Sequence, residues 1–298
     1  VLETARGGLL RKGLGYRSPD VAACINVSAD HLGMNGVDTL EQLAAVKRIP
    51  IEVASDTVVL NADDYHCLRM ASHARAKHIC YVTTNPQNPL VRQHIRHGGR
   101  AVALDDGVNG QMISIYDKHT HIPLLWTHLI PATLEGKALH NVQNAMFAAG
   151  VAFSMGVSLE NIRQGLRTFD TSFFQAPGRM NVFDKLGFKV ILDYGHNPAA
   201  VGAMCNLVDR LADERTGQKV CVLSAPGDRR PEDIAQIAEI AAPHFDHFVL
   251  RQDDNLRGRE PLEIPKMLKK GLMLNGVAES AIEVIGSEQE SIERALTL

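Results

Sequence analysis

The chain has 298 residues, 45% of them hydrophobic and 22% charged, an ordinary balance for a globular protein with room for about two domains. A net charge of −3 makes no electrostatic case for nucleic acid or an anionic membrane surface, and no run approaches ~18 consecutive apolar residues, so neither a membrane span nor a signal peptide is read. Five cysteines without a CxxC pair or regular spacing suit a reducing compartment and buried thiols, which points to the cytoplasm.

Val1-Leu2-Glu3-Thr4 opens as if inside a strand, and residues 288–298 read as a helix that simply stops, so a fragment of a longer polypeptide is expected. Glu3 stands at a strand tip before a basic glycine loop holding Arg6, Gly7, Gly8, Arg11 and Lys12. Such a Glu can hold a metal bound to phosphate, or be a solvated turn residue. Val21–Val27 reads as a buried strand running into Ala29-Asp30-His31-Leu32-Gly33. A helix follows from Asp38 to Val46, capped by Asp38 or Thr39, with Lys47 on or just past it and Pro50 closing or kinking it.

Thr57–Leu60 is a strand entering Asn61-Ala62-Asp63-Asp64 and a helix from Tyr65; His78–Val82 is another strand, and Leu90–His97 a short helix on which His94 and His97 read as solvated. Alternation in 101–104, 112–116 and 123–127 predicts antiparallel strands. Residues 134–144 open a helix running through Phe153, which places Asn141 and Asn144 on one face. Paired amides can read an adenine edge or satisfy loop backbone. A second helix spans Leu159–Phe169.

The polar stretch 170–176 before Pro177-Gly178-Arg179 reads as a domain boundary, giving domains 1–174 and 175–298. Beyond it comes a βαβα series: strands at 190–193, 220–224, 248–250 and 282–285, helices at 198–214, 231–242, 261–274 and 287–297. That order predicts a parallel sheet covered by helices on both faces. Val190-Ile191-Leu192 reads as buried, Asn197 as an N-cap and Pro198 as the first helical residue. Asp193, Tyr194, His196 and Asn197 then lie where open α/β sheets bind anionic ligands. Two later loops carry Asp228-Arg229-Arg230 and Asp253-Asp254-Asn255-Leu256-Arg257-Gly258-Arg259. Their arginine forks suit a carboxylate or phosphate, and the acidic pair suits a cation.

The order of these motifs resembles the ATP-dependent Mur ligase superfamily, which includes the muramyl-peptide ligases and folylpolyglutamate synthase. The matching residues are Asp30-His31-Leu32, Lys47, His140-Asn141-x-x-Asn144, Pro177-Gly178-Arg179, Asp193-Tyr194-Gly195-His196-Asn197-Pro198 and Gly227-Asp228-Arg229. Residues 2–8, 29–33 and the 253–259 loop are most similar to a branch whose Mur-like portion adds arginine to an aspartate side chain. Gly33, where many muramyl ligases carry Asp, favours that branch.

The resemblance implies an α/β fold class: an incomplete central P-loop-type ATPase domain, then a Rossmann-like C-terminal domain lacking its final strand. It implies ATP and Mg2+ as cofactors, and attack of a carboxylate on the γ-phosphate followed by capture of the acyl phosphate by an amine. Glu3 and His31 would serve magnesium, and Lys47 matches a lysine that some members carbamylate, chemistry that needs a neutral amine. Asn141 and Asn144 would read adenine; Arg179, Asp193, His196 and Asn197 would meet ribose and phosphates across a cleft. Asp228, Arg229, Asp253, Asp254, Arg257 and Arg259 would hold the incoming amino acid. No GxxxxGK[ST] occurs in the sequence, and the resemblance places it upstream, with an ATP-grasp portion, in a cytoplasmic homo-oligomer. Another amide ligase of the superfamily, acting on a muramyl peptide or a folate, and an inactive Mur-like scaffold stay open as alternatives.

Overall fold

The computed structural model of the chain describes residues 1–185, 187–212 and 217–298. The chain folds as two compact units, one of Val1–Val27 with Asp38–Asp193, the other of Ser28–Val37 with Tyr194–Leu298.

The first unit runs α1 (Arg6–Lys12), β1 (Val21–Cys24), α2 (Leu40–Glu52), β2 (Thr57–Asn61), α3 (Tyr65–Met70), β3 (His78–Thr83), α4 (Pro89–Arg96), β4 (Arg100–Gly107), β5 (Gly110–Asp117), β6 (Thr120–Trp126), α5 (Leu139–Ser154), α6 (Leu159–Thr168), β7 (Asn181–Phe183) and β8 (Val190–Leu192). The sheet order is β1-β2-β3-β4-β5-β6, parallel from β1 to β4 and antiparallel from β4 to β6. β2 is buried at every position, as a parallel strand covered on both faces must be. α5 lies on that sheet: its Val142, Met146 and Ala149 join Val59, Val82 and Val102 in one core. The approach is close enough that a Cβ at Gly150 would stand 3.2 Å from Val102 and 3.3 Å from Val59. α2 opens with a complete capping box, Thr39 accepting from the Gln42 amide while the Gln42 side chain accepts from Thr39.

The second unit runs α7 (Pro198–Ala212), β9 (Val220–Leu223), α8 (Pro231–Ala241), β10 (His247–Arg251), α9 (Glu263–Leu274), β11 (Ile282–Ile285) and α10 (Glu288–Ala295). Its sheet, in the order β11-β10-β9, is wholly parallel. Phe248 and Leu250 of β10 are fully buried with Ile234, Ile237 and Leu268. Residues 213 and 214 of the expected 198–214 helix lie outside the described residues.

Four expectations are corrected. The basic glycine loop is the helix α1: Gly7 and Gly8 weaken it, but Leu9 is buried and Arg11 Nε donates to the Gly7 carbonyl. The strand expected to reach Val27 ends at Cys24, because the amide of Val27 donates to Asp64 instead of a sheet neighbour. His94, read as solvated, has its Nε2 3.1 Å from the carbonyls of both Ile79 and Arg100. Val190–Leu192, read as the first strand of the second parallel sheet, pairs antiparallel with β7, and Leu192 is 41% exposed. A short apolar run fits a buried strand and a hairpin arm equally well. Among the described residues no helix is long and apolar enough to cross a membrane.

Candidate active site

In the first unit a polar belt ties the carboxyl ends of β1, β2 and β3 together. Asn61, 4% exposed, donates to the Ile25 carbonyl at 2.8 Å, and Asp64 accepts from the amides of Val27 at 2.9 Å and Cys67 at 2.8 Å. Asp63 accepts from the Thr84 amide at 2.7 Å and from Asn88 at 3.2 Å. Lys47, half-buried on α2, donates its Nζ to the Asn26 carbonyl at 3.0 Å, so its amine is held at the end of β1. Glu3 is exposed just before α1.

The start of α5 gathers a second group in the same unit. Asn141 Nδ2 donates to the Ala132 carbonyl at 2.8 Å, and Asn144, exposed, donates to Asn141 Oδ1 at 3.0 Å. Asn141 thereby uses part of its amide to hold loop backbone, while Asn144 keeps its Oδ1 on an exposed surface. Met180, 2% exposed, lies 3.6 Å from Asn141 through its sulfur and donates its amide to Asp193 Oδ2 at 2.9 Å. Burial pushes the His140 imidazole below its ordinary value, against the pull of the Asp193 carboxylate. The Pro177-Gly178-Arg179 turn is fixed by Asn181, 1% exposed, which accepts from the Gly178 amide and donates to the carbonyls of Thr171 and Ala176. Arg179 is exposed on that turn. The structure thus brings Asn141, Asn144 and Asp193 to one region of the first unit.

The second unit carries the remaining residues. Asn197 caps α7 through the Ala200 amide at 2.9 Å, with Pro198 as first helical residue, and His196 Nδ1 lies 2.9 Å from the Tyr194 carbonyl. Asp30, His31 and His196 form a half-buried cluster. Arg229, 4% exposed, enters it: Nη2 is 2.9 Å from Asp30 Oδ1, and Nη1 is 3.1 Å from His31 Nδ1 and 3.2 Å from Asp228 Oδ1. Two imidazoles and one carboxylate are a poor set for Mg2+, which takes oxygen ligands, and the guanidinium already supplies the positive charge. In this arrangement the group does not fit magnesium, and His31 is turned to an arginine.

Asp228 also accepts from Arg257 Nη1 at 3.0 Å. Burial pushes the Asp228 carboxyl up, but Arg257 and Arg229 outweigh it and hold it below the ordinary carboxylate value. Arg259 is spent on the loop itself, donating to the carbonyls of Gly227 and Arg229 at 3.0 Å and to Glu263 at 2.7 Å. Glycine is required at 227, where a Cβ would meet the Leu256 carbonyl oxygen at 2.1 Å. Asp253 lines a narrow hollow with Gly227, Asn255 and Arg259, whereas exposed Asp254 lines a wider one with Ser287, Glu288 and Glu293.

Sequence reasoning missed the belt of Asn61, Asp63 and Asp64 and treated Asp30 only as part of a motif. The signal for the belt was present: three polar residues directly behind an apolar run at a strand end.

The Mur ligase middle domain family matches residues 1–152, and the family described as Mur ligase, glutamate ligase domain, matches 178–298. Cyanophycin synthetase from Synechocystis sp. is 40% identical over 99% of this chain and 33% of its own length, so the chain spans about a third of that relative. The diaminopimelate-adding UDP-N-acetylmuramoyl-L-alanyl-D-glutamate ligase of Caldanaerobacter subterraneus is 26% identical over 93% of the chain and 51% of its own length. Folylpolyglutamate synthase from Mycobacterium tuberculosis, solved with ADP and AMPPCP, shares the fold with a TM-score of 0.62 at 19% identity, over 93% of this chain and 57% of that one. With the middle-domain match covering half of its residues, the chain belongs to the Mur ligase family.

Proposed function

We propose that the chain is the arginine-adding portion of a cyanophycin synthetase-like ligase. An aspartate side-chain carboxylate attacks the γ-phosphorus of ATP and ADP leaves; the α-amine of arginine then attacks the acyl carbon, loses a proton and expels phosphate, leaving an amide. The observation that carries this reading is the 40% identity to cyanophycin synthetase along nearly the whole chain, against 26% to a muramyl-peptide ligase.

Within it, Lys47 and Glu3 serve the phosphate end, and carbamylation of Lys47 is the form proposed for it. Asn144, steadied by Asn141, reads the adenine. Arg179 and Asp193 meet ribose and phosphates, and His196 and Asn197 offer the amino end of α7 to an anionic group. Asp254, beside Glu288 and Glu293, and Asp253 receive the substrate guanidinium; Arg257, oriented by Asp228, takes its α-carboxylate, while Arg259 holds the loop. Magnesium is assigned no step, since His31 faces Arg229 here. A functional boundary at 174/175, homo-oligomeric assembly within a longer polypeptide and a cytoplasmic setting belong to the same proposal.

The test is phosphate release by the full-length protein on an aspartate-bearing acceptor, with arginine or lysine as amine. Arginine should be used and lysine far less. Preference for a muramyl tripeptide or a folate acceptor would move the protein to another branch of the family.

A further inference from the structure

Asp228 and Arg229 read from sequence as a fork for the incoming amino acid, but the geometry points to a different duty for Arg229. Its side chain is 3% exposed, too deep to serve a substrate that comes and goes, and its two terminal nitrogens are spent within the protein. Nη2 is 2.9 Å from Asp30 Oδ1 and 3.4 Å from His31 Nε2, while Nη1 is 3.1 Å from His31 Nδ1 and 3.2 Å from Asp228 Oδ1. The His31 side chain it holds lies 198 positions away in sequence. That segment, Ser28–Val37, groups with the second unit, although the residues on either side of it group with the first.

The segment has little structure of its own to keep it there. It forms no helix or strand; Met34 and Val37 make a bridge, and the Gly33 amide donates to the Val37 carbonyl at 2.9 Å. His31 (φ 58) and Asn35 (φ 55) hold left-handed conformations that cost a non-glycine residue energy unless contacts over-determine them. Leu32 and Val37 supply apolar burial, and the Arg230 side chain approaches Gly33, where a Cβ would meet it at 3.3 Å. Arg229 supplies the buried charge that fixes where Asp30 and His31 sit.

We propose that Arg229 is a positioning residue: a buried latch that fastens the Ser28–Val37 segment to the second unit and sets the orientation of His31, rather than a ligand for the amine. The proposal stands on geometry; only its catalytic consequence rests on the ligase reading above.

The experiment compares wild type, R229Q, R229K and D30N in the full-length protein, first by hydrogen exchange and then by kinetics. Loss of the buried pair should speed exchange at the Gly33 and Val37 amides by roughly a hundredfold in R229Q. Exchange in β10 should be unchanged, which shows that the unit is still folded. D30N removes the pair from the other side and should release the same amides, and R229K, with charge but no fork, should recover part of the protection. In the ligation assay kcat should fall at least about tenfold with arginine KM within about twofold, the pattern of a misplaced catalytic segment. Unchanged exchange in both R229Q and D30N overturns the latch, and a raised arginine KM with unchanged exchange returns Arg229 to the substrate fork. Faster exchange with unchanged kcat leaves the latch standing and shows that turnover does not depend on the placement of the Ser28–Val37 segment.

Discussion

Replacing Asp228 by asparagine tests how much the charged junction of the two second-unit loops contributes to stability. The carboxylate is 22% exposed and bonds Arg229, which is buried, and Arg257, which is 32% exposed. A charge-assisted bond to the buried partner is worth ~1.5–3 kcal/mol, and the partly screened bond to Arg257 ~0.5–1 kcal/mol. The amide oxygen of asparagine can still accept one bond, so D228N should cost about 2 kcal/mol, or roughly 8–16 °C in Tm for a unit of about 100 residues. The sign with pH follows from the lowered carboxyl. Its contribution is fully present above the unfolded value of 3.8 and is lost as pH falls through the lower folded value, so the gap between wild type and D228N should close in acid. Thermal unfolding followed at neutral and acidic pH measures it. A gap below about 0.5 kcal/mol at pH 7, or one that does not shrink in acid, refutes the reasoning.

N181A removes three bonds from a residue that is 1% exposed, and should cost about 2–3 kcal/mol and open the 171–181 turn to limited proteolysis. T39A breaks the capping box of α2 and should cost about 1 kcal/mol in urea unfolding. Burial pushes the thiol of Cys80 up to about 12 and that of Cys205 to about 11, so a thiol reagent at pH 8 should label them fast only after denaturation. Rapid labelling of the native chain at these positions would contradict their burial.

Most of the elements were legible because their signals are local. Asn197 before Pro198 and Thr39 before an apolar-periodic stretch announce helix starts, and both are caps in the structure. Strands at 101–104, 112–116 and 123–127 were legible from their apolar runs and pair antiparallel from β4 to β6, although 101–104 is buried at every position and pairs parallel with β3 on its other edge. What failed depends on partners distant in sequence or on competition between weak signals. Nothing in Val190-Ile191-Leu192 says whether its neighbour will be a parallel strand or Asn181–Phe183. Gly7 and Gly8 argue for a loop until Leu9 finds a core to enter. The site divides in the same way. The residue types at Lys47, Asn141, Asn144 and Asp193 could be listed from motif order, but the burial of Arg229 against Asp30 and the spending of Arg259 on its own loop are facts of three-dimensional pairing.

The central claim, that an aspartate carboxylate is activated as an acyl phosphate and captured by arginine, is tested most directly by following the carboxylate oxygen. An aspartate-bearing acceptor labelled with heavy oxygen in its side-chain carboxylate is incubated with the full-length protein, ATP and arginine, and the released phosphate is analysed by mass. The account predicts one labelled oxygen per phosphate, appearing only with arginine present and in step with amide formation. Label in AMP, or amide formed while phosphate stays unlabelled, would contradict it.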